Sequence, residues 1–256
     1  MVTFLDHGLP AIAVLMLWFG STAFVLWLAN RPRATYAASL RLGAVAGVAG
    51  LAAIAATAGS DGRLAAYVSF FGGLLIWGWH ELAFLTGAVA GPRREPPAGG
   101  LSGWRRFTEA SSTVIHHEAA LALTAVLLLA LTACGPNAAG AEAFALLFAL
   151  RLSAKLNLHI GVPNFSHELL PAHLGYLRGY MRRRAFGLPL AATLVGVGGL
   201  VTWLGVRAVE PAPAGAATAA SLLFALGLLG AIEHLLLALP VRDSALWRWA
   251  MPAGPR

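Results

Sequence analysis

The chain has 256 residues, 58% of them hydrophobic and only 11% charged, with a formal net charge of +7. Soluble globular domains run at about 45–50% apolar and about 25% charged residues, so this composition excludes the soluble class and points to a membrane protein. The cationic excess is almost wholly arginine, with Lys155 as the only lysine. In a membrane protein such an excess marks cytoplasmic loops and contact with membrane lipid, which argues against a nucleic-acid partner.

A spanning helix needs roughly 20 mostly apolar residues. Leu9 to Ala29 is the first such stretch, stopped by Asn30, Arg31 and Pro32. The residues before it lack the basic region of a cleaved signal peptide, so this span is expected to stay in the mature protein. Leu42 to Gly59 is the second, rich in the small residues that let helix backbones approach in lipid. The third, Leu64 to Ala90, holds His80 and Glu81. A polar loop from Gly91 to Arg106, with four arginines, leads to the fourth, Thr108 to Ala133, which holds His116, His117 and Glu118. The fifth, Ala141 to Ile160, is unusual for containing Arg151 and Lys155. Leu169 to Arg184 reads as an amphipathic segment lying in the interface. Phe186 to Val206 and Ala217 to Leu239 complete seven spans, the last holding Glu233 and His234. Trp247 and Trp249 beside arginines suit an interfacial anchor. There is no β pattern and no repeat, and the single Cys134 offers no internal disulfide. The expected fold is an all-α integral membrane bundle, one domain over residues 1–256.

Seven spans place alternate loops on opposite sides. One side receives Arg31, Arg33, Arg41, Arg93, Arg94, Arg105, Arg106, Arg178, Arg182 to Arg184, Arg242, Arg248 and Arg256; the other receives Arg63 and Arg207. By the positive-inside rule the first side is cytoplasmic, with the N-terminus outside and the C-terminus inside.

That topology brings distant residues to one depth. His80 and Glu81 lie about ten residues before the inner end of the third span, and His116, His117 and Glu118 about nine residues into the fourth. Glu233 and His234 lie about five residues from the inner end of the seventh, and His159 is almost at that of the fifth. At about 1.5 Å per residue, these groups fall in one layer near the cytoplasmic boundary. Arg151, Lys155 and His159 recur every fourth residue and so share a helix face. Unpaired charge in a bilayer is costly, and a purely structural network pairing this row with Glu81, Glu118 and Glu233 is one reading. Another is a metal site, because imidazole and carboxylate on facing helices are the ligands of non-haem iron and zinc centres. His80, Glu81, His116, His117, Glu118, His159, Glu233 and His234 are its candidate ligands. Neither a Glu-x-x-His pair nor a His-Glu-x-x-His motif is present. A third reading is axial ligation of a (bacterio)chlorophyll magnesium by one histidine in a lipid-facing cleft.

The stretch from Asn157 to Leu177 concentrates polar chemistry beside apolar sequence: His159, His167, His173, Glu168, two asparagines and two prolines. Pro163 interrupts regular helix there, and non-helical backbone at membrane depth survives only when buried in protein or lining a water-filled cavity. The expectation is a cavity lined by His80, His117, His159, Glu118, Glu233 and His234, open to the cytoplasmic face and closed by this stretch. Asn157, Arg151, Lys155, His159, His167 and His173 are the candidate cofactor contacts.

The motifs His80-Glu-Leu-Ala-Phe-Leu-Thr-Gly87, His116-His-Glu118, Asn157-Leu-His-Ile-Gly-Val-Pro-Asn164 and Glu168-Leu-Leu-Pro-Ala-His-Leu-Gly-Tyr-Leu177 resemble the PuhE-type photosynthetic complex assembly proteins of purple phototrophic bacteria. The resemblance covers nearly the whole chain. It implies a protein of the inner membrane that acts in forming the reaction-centre and light-harvesting complex, with subunits of that complex as partners, or in supplying its bacteriochlorophyll. It supplies no catalytic residues. The rival expectation is an intramembrane metalloenzyme with non-haem iron or zinc, acting on a lipid, quinone or tetrapyrrole.

Overall fold

A computed structural model describes residues 4–165 and 170–240. Among these residues there is no strand, only one isolated bridge between Val162 and Arg183. Seven helices are long and apolar enough to cross a membrane, so the chain is a multi-pass membrane protein in contact with lipid. Helix α1 spans Leu9–Ala29, preceded by a single π turn at Phe4–Gly8, and α2 spans Tyr36–Thr57. Helix α3 is Arg63–Leu85, the short α4 is Gly103–Ser112 and α5 is Ile115–Thr132. Ala139–Ile160 forms α6, Leu188–Val209 α7 and Ala214–Ala238 α8.

Helix α3 is the spine of the bundle, packing against α2, α6, α8 and α1. Its glycines explain why: a Cβ at Gly72 would lie 2.6 Å from the Gly50 carbonyl oxygen of α2, and one at Gly73 would collide with the Gly140 backbone of α6. Such close approach is how helices associate where lipid is as apolar as leucine. Ser69 adds a hydrogen bond, its Oγ accepting from the Gly140 amide at 3.0 Å. Asn137 sets the start of α6: its Oδ1 accepts from the Ala139 amide and its Nδ2 donates to the Thr57 carbonyl.

Several boundaries differ from the hydropathy pattern: α2 begins at Tyr36 rather than Leu42, α7 runs on to Val209, and three further differences bear on the site. The third span stops at Leu85 rather than Ala90, because Gly87 adopts φ +77° and ends the helix. The fourth is two helices. Gly91 packs on the backbone of Ser112 and Thr113, the Arg93 amide donates to the Ser112 carbonyl, and the Ala90 carbonyl accepts from the His117 amide. These contacts break the chain between α4 and α5, so His116, His117 and Glu118 occupy the first turn of the span, not its middle. The interfacial segment between spans five and six is a 3₁₀ helix over Ala172–Tyr180. Its period of three places Leu174, Leu177 and Tyr180 on one buried face. Arg182 and Arg184 then hydrogen-bond through their amides to the carbonyls of Leu158 and Val162, tying this segment to the end of α6. Residues His167 and Glu168 lie outside the described residues.

Candidate functional site

Four helices turn one face each toward a common cavity of about 590 Å³. From α1 come Trp18, Thr22 and Val25; from α3, Leu74, Gly78, Glu81 and Leu85; from α6, Leu147, Arg151, Ala154, Lys155 and Leu158; from α8, Leu226, Gly230, Glu233 and Leu237. In α1, α3 and α8 these residues are three or four apart, the repeat of a single helix face, whereas α6 adds the adjacent Ala154 and Lys155. At the arginine-rich end the cavity is roofed by Phe107 of α4 and by Asn164, Phe165, Leu177 and Tyr180. Asn164, Phe165, Leu170 and Leu177, from the stretch expected to close a cavity, are among the residues that line this one.

The wall is mostly apolar, and its charges gather in one band. Lys155 Nζ stands 2.5 Å from Glu118 Oε1, and Arg151 Nη2 stands 3.8 Å from Glu81 Oε2. The row on α6 therefore divides: the lysine takes the carboxylate of α5 and the arginine takes that of α3. Glu233 on α8 adds its field to that of Arg151. Three carboxylates thus face two cations. The Arg151 side chain is 45% exposed although it sits mid-helix; the cavity accounts for this, since Arg151 lines it.

His117 of α5 completes the band. Its ring is fully buried and stacks on Phe84 at 4.6 Å between centroids, with Nε2 3.9 Å from Glu81 Oε1. Lys155 Nζ lies 5.3 Å from the centre of the same Phe84 ring. Both ring nitrogens of His117, Glu81 Oε1 and Glu118 Oε2 are buried without a hydrogen-bond partner. Native proteins satisfy almost all buried polar groups, so four such atoms around one band mark it as a place for polar chemistry rather than filler.

The remaining histidines are placed elsewhere. His80 lies off the cavity wall, with Nε2 3.1 Å from Thr124 Oγ1 of α5 and its ring edge-on to Phe144. His234 is buried, its ring nitrogens at 2.7 Å from the Gly230 carbonyl and 3.2 Å from Ser153 Oγ. His116 is exposed on the outer face of α5, the position next to His117 pointing about 100° away. His159 does line the cavity. Arg106 covers it, with Nη1 3.3 Å from both ring nitrogens and 3.1 Å from the His159 carbonyl. Asn157 joins α6 to α7, its Nδ2 2.9 Å from both the Ser153 carbonyl and Thr193 Oγ1. His173 sits in a separate, smaller pocket.

Of the six residues expected to line one cavity, Glu118, Glu233 and His159 are on this wall, whereas His80, His117 and His234 are not. Hydroxyl groups on neighbouring helices draw the His80 and His234 rings aside. Among the described residues, no group of three or more His, Cys, Asp or Glu side chains is close enough to hold a metal ion. Arg106 is the residue that sequence reasoning missed. Buried in α4, it also donates from Nη2 to the Tyr180 carbonyl at 2.6 Å and so pins the roof. Its spacing with Ala110 and Thr113 along one helix face was the available signal.

The chain belongs to the family described as "Protein of unknown function (DUF3623)", whose model matches residues 4–256. It is similar to a protein of Rhodobacter capsulatus described as an uncharacterized 30.4 kDa protein in the puhA 5′ region. The two are 34% identical over 253 residues, covering 96% of this chain and 91% of the relative. No solved structure matches the chain.

Proposed function

We propose that this member of the DUF3623 family acts at the bacterial inner membrane in assembly of the photosynthetic reaction-centre and light-harvesting complex. Its working site would be the interhelical cavity, holding bacteriochlorophyll or one of its precursors. The relative in the puhA 5′ region supports the process, since that region belongs to a photosynthesis gene cluster. The cavity supports the ligand class and is the observation that carries the reading. Its volume of about 590 Å³ falls within the roughly 300–1,000 Å³ of small-molecule sites. An apolar wall with one charged band suits an amphiphile that has a large apolar body and one polar edge.

In this reading Arg151 and Lys155 meet polar oxygens of the ligand, while Trp18, Trp77 and Leu147 enclose its apolar body. Among the described residues, His159 is the one imidazole on the cavity wall; it would ligate the pigment's magnesium only with the Arg106 guanidinium moved off its ring nitrogens. Subunits of the photosynthetic complex would receive the pigment, with the arginine-rich end of the bundle facing the cytoplasm.

The test is to purify the full chain from a phototrophic host that is making pigment, and to measure its absorption spectrum and its metal content together. The expected result is far-red tetrapyrrole absorption with magnesium in matching amount. Stoichiometric iron or zinc without pigment would favour the metalloenzyme and overturn this reading. Neither pigment nor metal would reduce the charged band to a structural ion-pair network.

A further inference from the structure

The smaller pocket at the arginine-rich end, about 260 Å³, is built where three connections meet. Arg33 comes from the link between α1 and α2, Gly87 and Arg94 from the loop after α3, and His173 and Tyr176 from the 3₁₀ segment. None of its described lining residues is acidic. Two guanidinium groups at the rim are exposed, so the pocket opens toward the membrane surface rather than into the bundle.

Its interior holds two polar atoms with no protein partner. His173 hydrogen-bonds the backbone of Leu85 through its ring, yet Nε2 is buried and unsatisfied. The Tyr176 hydroxyl is likewise buried without a partner. By contrast the Tyr36 hydroxyl, also in the lining, is spent on the Ala29 carbonyl at 2.8 Å. The glycine at position 87 leaves room for the His173 ring: a Cβ there would lie 3.3 Å from Nε2, a tight contact, at a φ of +77° that other residues rarely adopt. Arg94 is aimed by its bond from Nη2 to the Gly87 carbonyl at 3.0 Å, which holds its guanidinium beside that ring.

Two guanidiniums, an imidazole nitrogen and a phenol hydroxyl, with no carboxylate among them, are complementary to a phosphate oxyanion. We propose that this pocket binds one phosphate group, with Arg33 and Arg94 as its charge partners, the Tyr176 hydroxyl donating to a phosphate oxygen, and His173 Nε2 accepting from a protonated phosphate oxygen or, as imidazolium, donating to a charged one. Basic pockets between spans on the cytoplasmic side are suited to anionic lipid headgroups, and a soluble phosphate compound has the same chemistry. The site is separate from the interhelical cavity and stands whether or not that cavity holds pigment.

The test uses the full chain in two settings. In vesicles of phosphatidylcholine with and without phosphatidylglycerol, native mass spectrometry reads the lipid retained by the protein; in detergent, calorimetry reads binding of inorganic phosphate. Arg33→Gln combined with Arg94→Gln should weaken binding at least about tenfold. Tyr176→Phe, which removes a single hydroxyl and leaves the fold intact, should weaken it by a smaller factor. Arg105→Gln, an exposed cation at the same end but outside the pocket, should change nothing. Selective retention of phosphatidylglycerol assigns the phosphate to a lipid; saturable phosphate binding without lipid selectivity assigns it to a soluble compound. The proposal is overturned if wild type binds neither probe, or if the pocket variants bind as the Arg105→Gln control does.

Discussion

Helices α3 and α6 meet in two different ways along their length. Near Gly73 and Gly140 their backbones touch, with Ser69 bonded to the Gly140 amide. Two turns further along α3, the same pair is held apart by the long side chains of Glu81 and Arg151, 3.8 Å from tip to tip. The first contact is made of the smallest residues and excludes everything. The second is made of charged residues, and beside it lies the cavity. A bundle with small residues throughout would have no cavity, and one with charges throughout would not associate in lipid.

The largest effect is expected where the charged level is most tightly paired. Lys155→Met removes the ammonium 2.5 Å from Glu118 and leaves a carboxylate unpaired inside the membrane. Breaking a fully buried pair costs about 3–5 kcal/mol, and this part-buried one should fall below that. The variant should accumulate poorly and melt early, and adding Glu118→Gln should recover most of the loss. Additive damage in the double variant would show that the two groups are not partners. Arg151→Leu with Glu81→Gln should show the same rescue with a smaller coupling, because that pair is more than 1 Å longer.

Next in size is the packed level. In Gly73→Leu the new side chain meets the Gly140 backbone, which cannot rotate away. Overpacking of this kind costs about 1–3 kcal/mol, read as a lower melting temperature. An unchanged melt would mean that α3 and α6 do not meet there.

Much of this was legible in the sequence, because hydropathy over some 20 residues is a summed signal that single positions cannot spoil. All seven spans follow from it, and α1 begins and ends where its apolar run does. The row of Arg151 and Lys155 on one face of α6 was equally legible from spacing alone. The break between α4 and α5 was not. Residues 108–114 contain neither glycine nor proline; the break is imposed from outside by Gly91, Ala90 and Arg93. Nor could the fate of the histidines be read. His80 and His234 are drawn to Thr124 and Ser153, hydroxyl residues common in any span, and nothing local marks which hydroxyl stands opposite which ring.

A smaller intervention sharpens which end of the bundle faces which compartment. A reporter fused after Arg256 should read as cytoplasmic, and one inserted at the turn beside Asp61 as periplasmic, with no change in the stability of the bundle. Both reporters on one side would contradict the five spans between them.

The difference between the two levels is tested most directly by filling the open one. A Cβ at Gly78 on the cavity wall meets only Val25 Cγ2, at 3.8 Å, so Gly78→Leu places its side chain in the cavity without straining the backbone. Gly196→Leu, where a Cβ meets nothing within 4 Å on the outer face of α7, is the matched control. The measurement is the amount of small molecule that co-purifies with each variant, counted by mass spectrometry and absorption. The expected result is loss of the bound amphiphile from Gly78→Leu and full retention in Gly196→Leu. Equal retention in both, or no bound molecule even in the wild type, would contradict a cavity built to hold a ligand.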